Sequence, residues 1–145
     1  MLSSMRKWVI VCSLVASTTL APGVHNIKWL TSKELKCLAD NVYYEARGEN
    51  FEGMVAVAKV TLNRTKHNDY PDSICGVVYQ PYQFSWTLKK QKPPKPAEYA
   101  VAKWAALTAS SYKLDAIFYH SVKVKPKWSS VKTRLVQLGN HIFYY

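Results

Sequence analysis

Residues 52–66 read EGMVAVAKVTLNRTK, and this stretch gives the strongest indication of the fold. Its apolar side chains recur at helical spacing, but they cover most of the helix circumference instead of a single stripe. A helix that is apolar on nearly all sides is usually buried at the centre of a domain. We therefore predict that residues 52–66 form a central helix against which the rest of the chain packs.

Another helix is predicted directly before the central one. Thr31 is followed three residues later by Glu34, and this capping-box pattern predicts a helix start at residue 31 or 32. Apolar residues then recur at helical spacing as far as Ala46, and Gly48 is typical of a helix end. The two predicted helices are thus joined by a short connector.

The second half of the chain predicts one more long helix and a small sheet. A helix should begin near Pro96, a residue that is tolerated in a first helical turn. Residues 116–122 and 141–145 are rich in aromatic and branched side chains and predict strands. Residues 74–79 predict one or two helical turns, residues 81–86 an aromatic loop or short strand, and residues 89–96 a surface loop. The predicted apolar stripe of the late helix consists of Ala97, Val101, Trp104, Ala105, Thr108 and Tyr112. Together these elements predict an α+β domain, mainly helical with a small antiparallel sheet.

Glu45 is the residue with the clearest chemical potential. It lies beside the apolar stripe of the first predicted helix and in its last turn. Desolvation and the negative end of the helix dipole both penalise an ionised carboxyl there, so the pKa of Glu45 should be raised. The neighbouring Arg47 would oppose this effect if its side chain approached. A carboxyl that stays protonated near neutral pH suits general acid catalysis, although a surface glutamate with an ordinary pKa fits the same spacing.

Other polar residues have less specific roles. Glu49 is either a second catalytic carboxyl or, as we favour, an acid that stabilises the positive start of the next helix. Asn63 and Arg64 end the central helix, where they bind the first helix or line a cleft. Gln83 and Ser85 lie among aromatic residues and could hydrogen-bond sugar hydroxyls and amides. The four histidines show no metal-like spacing, so we expect no metal and no cofactor.

The formal net charge of +11 over 145 residues promotes binding to polyanions. A basic wall- or nucleic-acid-binding module without turnover is therefore one alternative. Arg6 and Lys7 precede an uncharged run and small residues, which is typical of an export signal. We expect residues 1–30 to be a signal peptide or signal anchor with a connector, with transient membrane contact through residues 8–21, and residues 31–145 to form a single domain.

Cys37 and Cys75 form an even pair after this leader. In an oxidising compartment they can form one disulfide, while two independent buried thiols are the alternative. Export favours the bond.

Several ordered stretches resemble the SleB-type cell wall hydrolases, the spore cortex-lytic enzyme family. The run around Glu45 reads LADNVYYEARGE over residues 38–49 and carries the most distinctive part of the match. Further matching stretches follow at family-like intervals, at residues 53–64, 70–78, 83–85, 119–120, 126–128 and 139–144.

This resemblance implies a lysozyme-superfamily α+β fold and lytic transglycosylase activity on peptidoglycan. It assigns the catalytic acid to Glu45 and leaves the role of Glu49 open. We expect a substrate cleft formed by Glu49, Asn63, Arg64, Gln83, Ser85, Tyr119 and His120, with His120 being more typical of a hydrogen-bonded core or cleft residue than of a base. Many exported members carry cysteines where Cys37 and Cys75 stand, which further favours the disulfide.

The expected enzyme is an exported monomer of the periplasm or cell envelope that acts on peptidoglycan glycan strands and binds no nucleic acid. A leader plus one catalytic domain favours a phage endolysin-like or envelope member over a spore protein. A muramidase, which is a true glycoside hydrolase that uses Glu45 with Glu49 or another carboxyl, is the second enzymatic alternative.

Overall fold

Four helices and a three-stranded sheet make up residues 30–145, the part of the chain that a computed structural model describes. The helices are α1 (Ser32–Ala46), α2 (Phe51–Arg64), the short α3 (Ile74–Val78) and α4 (Pro96–Thr108). The strands are β1 (Phe118–Ser121), β2 (Arg134–Leu138) and β3 (His141–Tyr144), and 3-10 turns cover Ser85–Leu88 and Lys127–Ser130. The predicted α+β class is confirmed.

The leader predicted over residues 1–30 and the membrane contact through residues 8–21 lie outside the described residues, except for Leu30. Between residues 30 and 145, no helix is long and apolar enough to cross a membrane.

The central position of α2 is confirmed. Ten of its residues are buried, and Val57, Ala58 and Val60 have no exposed surface. The helix begins after Asn50, whose side chain accepts a hydrogen bond from the backbone N–H of Gly53 at 2.8 Å. Such a cap satisfies one of the free donors in the first turn. The other helices and the sheet pack around this element.

Helix α1 begins as the sequence predicts, but the capping box is only half formed. Thr31 Oγ1 accepts a hydrogen bond from the backbone N–H of Glu34 at 3.2 Å. The Glu34 carboxylate does not return to the cap, because it accepts from the backbone N–H of Cys75 at 2.9 Å. The helix ends at Ala46, and Gly48 then adopts a φ of +88°, a left-handed conformation that glycine takes without steric cost.

A disulfide joins Cys37 in α1 to Cys75 in α3, with 5.3 Å between the two Cα atoms. The predicted pairing is confirmed. The bond closes a loop across a sequence separation of 38 residues that includes the whole of α2. Cross-links over loops of this size stabilise a fold by about 2–4 kcal/mol, mainly by restricting the unfolded chain.

The predicted core stripe of α4 is wrong for most of its members, and of the six only Ala105 is buried. Trp104 is 64% exposed and Val101 is 41% exposed. The buried residues in this part of the chain are small instead: Ala102, Ala105, Ala106 and Ala109. Alanines let α4 pack closely against α1. Side-chain bulk was therefore a poor guide to the buried face of this helix.

The sheet has the strand order β1-β3-β2, with both pairs antiparallel. Tyr119 in β1 lies opposite Phe143 in β3, and Ser121 lies opposite His141. The two predicted strands are confirmed as β1 and β3, but β2 was not predicted. Three of its five residues, Arg134, Leu135 and Gln137, are exposed, so the strand lacks the apolar pattern that marks β1 and β3.

Candidate active site

Glu45 lies in the last turn of α1, where it faces the sheet. Tyr119 in β1 donates a hydrogen bond from its hydroxyl to Glu45 Oε2 at 3.2 Å. The surrounding α1 residues Val42, Tyr43 and Ala46 are buried, whereas Glu45 itself is partly exposed. The carboxyl group therefore stands at the border between the core and the solvent, as the sequence predicts.

Burial raises the pKa of Glu45 above its ordinary value. The hydrogen bond from Tyr119 and the positive charge of Arg64 both favour the ionised form, but they do not cancel the effect of desolvation. A carboxyl with a raised pKa can donate a proton near neutral pH, and its anion can take a proton back.

The opposing positive charge comes from Arg64 and not from Arg47. The Arg47 guanidinium lies 5.4 Å from the centroid of the Tyr43 ring, a cation–π contact on the side of α1. Arg64 ends α2 and is buried, with its Nε donating to the carbonyl of Ile117 at 2.9 Å. Its guanidinium also lies 5.1 Å from the ring of Tyr70. The charge of Arg64 therefore acts on Glu45, while its predicted contact with substrate stays a prediction.

Gln83 and Ser85 occupy the segment next to Arg64. Arg64 Nη1 lies 3.4 Å from Gln83 Oε1, a long hydrogen bond in which the arginine donates. Between them, Phe84 is only 4% exposed, and its ring centroid lies 5.7 Å from the Arg64 guanidinium. Gln83 and Ser85 are both exposed. The buried phenylalanine thus holds two polar side chains at the surface beside Arg64.

Glu49 has a different environment from Glu45. Its Oε2 accepts from the backbone N–H of Asn140 at 2.9 Å, and its Oε1 accepts from Asn140 Nδ2 at 3.0 Å. Burial raises the pKa of Glu49, but these two hydrogen bonds and the nearby His141 outweigh it and leave the pKa lowered. Asn50, and not Glu49, caps α2. Glu49 therefore binds the turn between β2 and β3 as a carboxylate.

His120 and His141 lie on neighbouring strands and face opposite sides of the sheet. His120 pairs with Ile142, the residue after His141, and successive strand residues alternate between the two faces. His120 is buried, and its ring nitrogens contact the Ser121 carbonyl at 2.9 Å and the Tyr144 hydroxyl at 3.0 Å. With both nitrogens engaged, its contacts support a role in the fold more than one in binding.

His141 lies beside the predicted site residue Tyr119 and was not itself predicted to be part of the site. Its ring lies edge-on to Tyr119, with 5.3 Å between centroids, and its buried Nδ1 has no hydrogen-bond partner among residues 30–145. Burial lowers its pKa. Strand alternation would have placed His141 and Phe143 on one face of β3, which is the signal that could have found it.

Asn63 is engaged elsewhere. Its amide nitrogen donates to the carbonyls of Leu114 at 2.7 Å and Ala116 at 2.9 Å, so it ties α2 to the segment before β1. Asn63 also lines a cavity of about 870 Å³ that Glu45 does not line. Its predicted contact with substrate gains no support from this position. Among residues 30–145, no group of three or more histidine, cysteine, aspartate or glutamate side chains is arranged to hold a metal ion.

The sequence model of the Cell Wall Hydrolase family matches residues 48–144. The chain belongs to the cell wall hydrolase family. This membership confirms the predicted enzyme class and the predicted resemblance to SleB-type proteins. The match begins after Glu45, so the role of that residue depends on its geometry and not on the family assignment.

Relatives and solved structures agree with this assignment. The spore cortex-lytic enzymes of Oceanobacillus iheyensis and Bacillus subtilis are each 32% identical to this cell wall hydrolase, over 84% and 78% of its length. The alignments span only 45% and 38% of those relatives. The catalytic domain of the Bacillus anthracis germination-specific lytic transglycosylase SleB has a TM-score of 0.66 at 28% identity, covering 79% of this chain and 96% of that one. The Bacillus cereus SleB catalytic domain has a TM-score of 0.69 at 29% identity, covering 79% of this chain and 91% of that one. The lysozyme-like α+β fold is confirmed.

Proposed function

We propose that this protein is a peptidoglycan lytic transglycosylase in which Glu45 acts first as a general acid and then as a general base. The observation that carries the proposal is the Glu45 carboxyl itself, whose pKa burial raises while Tyr119 donates to one of its oxygens. The name of one similar solved domain, the Bacillus anthracis germination-specific lytic transglycosylase SleB, supports the same reaction class.

Glu45 would protonate the oxygen of the β-1,4 bond between N-acetylmuramic acid and N-acetylglucosamine. As this bond breaks, the carboxyl becomes a carboxylate and the N-acetylglucosamine end leaves as an alcohol. The carboxylate then takes the proton from the C6 hydroxyl of the muramic residue, whose oxygen closes onto C1. The product carries a 1,6-anhydro ring, no water is consumed, and Glu45 regains its proton.

Burial stabilises one form of Glu45 in this cycle, and Tyr119 and Arg64 stabilise the other. When Glu45 is protonated, burial keeps the proton on the carboxyl until the glycosidic oxygen accepts it. When Glu45 is ionised, the hydrogen bond from Tyr119 and the charge of Arg64 stabilise the anion. One residue can therefore serve both steps, because burial favours its protonated form while Tyr119 and Arg64 favour its ionised form.

The alternative of a muramidase needs a second carboxyl as nucleophile or as base for water. Glu49 is a poor candidate, since both its oxygens accept hydrogen bonds from Asn140. This engagement favours the one-carboxylate mechanism. We further propose that the enzyme acts on glycan strands in the cell envelope, in keeping with the spore cortex-lytic names of its relatives.

The test compares Glu45→Gln with Glu98→Gln on purified sacculi. Glu98 is an exposed glutamate of α4 that pairs with Lys95, and it provides a matched control for loss of one carboxyl. We expect Glu45→Gln to lower the lysis rate by about 10²–10⁴-fold and Glu98→Gln to retain it. Lysis by a folded Glu45→Gln variant would overturn the proposal.

Mass spectrometry of the released fragments separates the alternatives. Anhydro ends support the transglycosylase, whereas reducing ends identify a muramidase. Salt-sensitive binding to sacculi without any released fragment would identify a basic binding module instead.

A further inference from the structure

Tyr82 has an unusual backbone and an unusual exposure. Its φ is +64°, and no other non-glycine residue between 30 and 145 has a positive φ. Its side chain is 85% exposed, the largest value among the exposed large apolar residues of this region. A left-handed backbone is costly for a residue with a Cβ, and such conformations concentrate at functional sites.

Neighbouring residues hold the backbone of Tyr82 in this conformation. The backbone N–H of Gln83 donates to the carbonyl of Gln80 at 3.2 Å, which closes the turn around Tyr82. Gln83 contacts Arg64, and Phe84 is buried against the same guanidinium. The contacts of Gln83 and Phe84 with Arg64 therefore hold the turn from its C-terminal side.

The ring of Tyr82 contributes nothing to this anchoring. Within residues 30–145, its side chain takes part in no hydrogen bond and in no ring–ring contact. By contrast, Tyr79, the other exposed tyrosine of this segment, packs edge-on against Trp86 with 5.9 Å between centroids. The fold therefore holds the Tyr82 backbone in an unfavourable conformation and gains no side-chain packing from it.

Tyr82 also lies on the segment that borders the candidate active site. Arg64, to which Gln83 and Phe84 bind, lowers the pKa of Glu45 by its charge and donates to Ile117, two residues before Tyr119. The exposed Ser85 and the Gln83 amide nitrogen offer polar groups on either side of Phe84. An exposed ring such as that of Tyr82, with polar groups nearby on the same segment, is a common arrangement for binding a ligand that has both an apolar face and hydroxyl or amide groups.

We infer that Tyr82 is a substrate-binding residue whose ring stacks on a sugar ring of the glycan strand next to Glu45. This inference rests on the proposed function, which supplies the glycan. The C–H face of an N-acetylated sugar provides the apolar surface, and its hydroxyl and acetamido groups suit Gln83 and Ser85. The conformational cost at Tyr82 is then offset when the substrate covers the ring.

The experiment uses three substitutions at this position. Tyr82→Ala removes the ring and keeps the backbone penalty, Tyr82→Gly removes both, and Tyr82→Phe keeps the ring. Initial rates on soluble peptidoglycan fragments give kcat and KM, and thermal unfolding gives stability. Tyr145→Ala is the control, because Tyr145 is also exposed, at 56%, and its backbone pairs with Thr133.

We expect KM to rise roughly ten-fold in both Tyr82→Ala and Tyr82→Gly, the size of one lost aromatic contact, while kcat and the anhydro product stay unchanged. Tyr82→Phe should retain the KM of the parent. Tyr82→Gly should melt at or above the temperature of the parent protein, because glycine adopts positive φ freely.

An unchanged KM in Tyr82→Ala would overturn the inference, as would a Tyr82→Gly protein that is less stable and loses kcat in proportion. Failure of the proposed function gives a different result, since the parent protein itself would then release no anhydro fragments.

Discussion

Glu45 and Glu49 lie four residues apart, yet the fold shifts their pKa values in opposite directions. Glu45 is desolvated at the end of α1 and receives one hydrogen bond, from Tyr119. Glu49 is on the connector before α2 and receives two, both from Asn140. Burial raises the pKa of Glu45, whereas the hydrogen bonds from Asn140 lower the pKa of Glu49, so the local environment and not proximity in sequence sets each direction.

The same contrast separates a carboxyl that can react, Glu45, from one that holds part of the fold, Glu49. The raised pKa of Glu45 keeps a proton available on a partly exposed group. The lowered pKa of Glu49 keeps a negative charge against the hairpin turn, where Gly139 adopts a φ of +55° and where a Cβ would collide with Glu49 Oε2. Glu49 thereby holds the start of β3, which carries His141 against Tyr119. One carboxyl can react, and the other positions the sheet.

The largest expected effect is on activity. Glu45→Gln should lower the lysis rate by about 10²–10⁴-fold, the usual contribution of a general acid or base. Glu49→Gln should lower it by less than about ten-fold when the protein is assayed well below its unfolding temperature. Turbidity loss of sacculi suspensions measures both. Equal losses in two folded variants would break the contrast between the carboxyls.

A smaller effect is expected when Tyr119 loses its hydroxyl. In Tyr119→Phe the bond that favours the ionised form of Glu45 is gone, so the pKa of Glu45 should rise further. The descending alkaline limb of the kcat/KM profile should therefore move to higher pH. We expect a rate loss of about ten-fold or less at the optimum. A limb that stays in place would mean that Glu45 does not control it.

These contrasts were only partly predictable from the sequence. Periodicity places Glu45 at the core boundary and locates α2, and a capping signal locates the start of α1, because such information is local. The donor from β1 and the charge of Arg64 come from residues far along the chain, and spacing cannot show that Arg47 lies over Tyr43 instead. The resemblance to the family brought Tyr119 into the predicted site.

Two elements show where local patterns fail. The buried face of α4 is formed by alanines, since the close approach of α1 leaves no room for larger groups, and Trp104 packs against Phe51 at the surface with 4.9 Å between ring centroids. Strand β2 is an edge strand with exposed residues, so it has no apolar signature. The buried face of α4 and the exposure of β2 both result from tertiary packing, which a short stretch of sequence does not reveal.

The next effect concerns the stability that Glu49 provides. Its pKa is lowered in the folded protein, so its contribution is present above the ordinary carboxyl pKa and is lost as the pH falls through the lowered value. Because solvent screens this partly exposed group, Glu49→Gln should lower the free energy of unfolding by at most about 1 kcal/mol at pH 7, and by almost nothing at pH 2–3. Urea unfolding at both pH values measures this, with Glu98→Gln as the control. A loss that persists in acid would show that the carboxylate charge is not what holds the turn.

The smallest effect has the opposite sign, and it completes the contrast. The folded pKa of Glu45 is raised, so the folded state is favoured most when the group is protonated, and that advantage is lost as the pH rises through the raised value. Glutamine cannot ionise, so Glu45→Gln should unfold at a higher temperature than the parent protein at pH 8. The difference should shrink at pH 4, where both side chains are mostly neutral. Thermal unfolding at the two pH values tests this, and a Glu45→Gln protein that is less stable at pH 8 would show that Tyr119 and Arg64 outweigh desolvation. In that case Glu45 would resemble Glu49, and the acid step would need another proton donor.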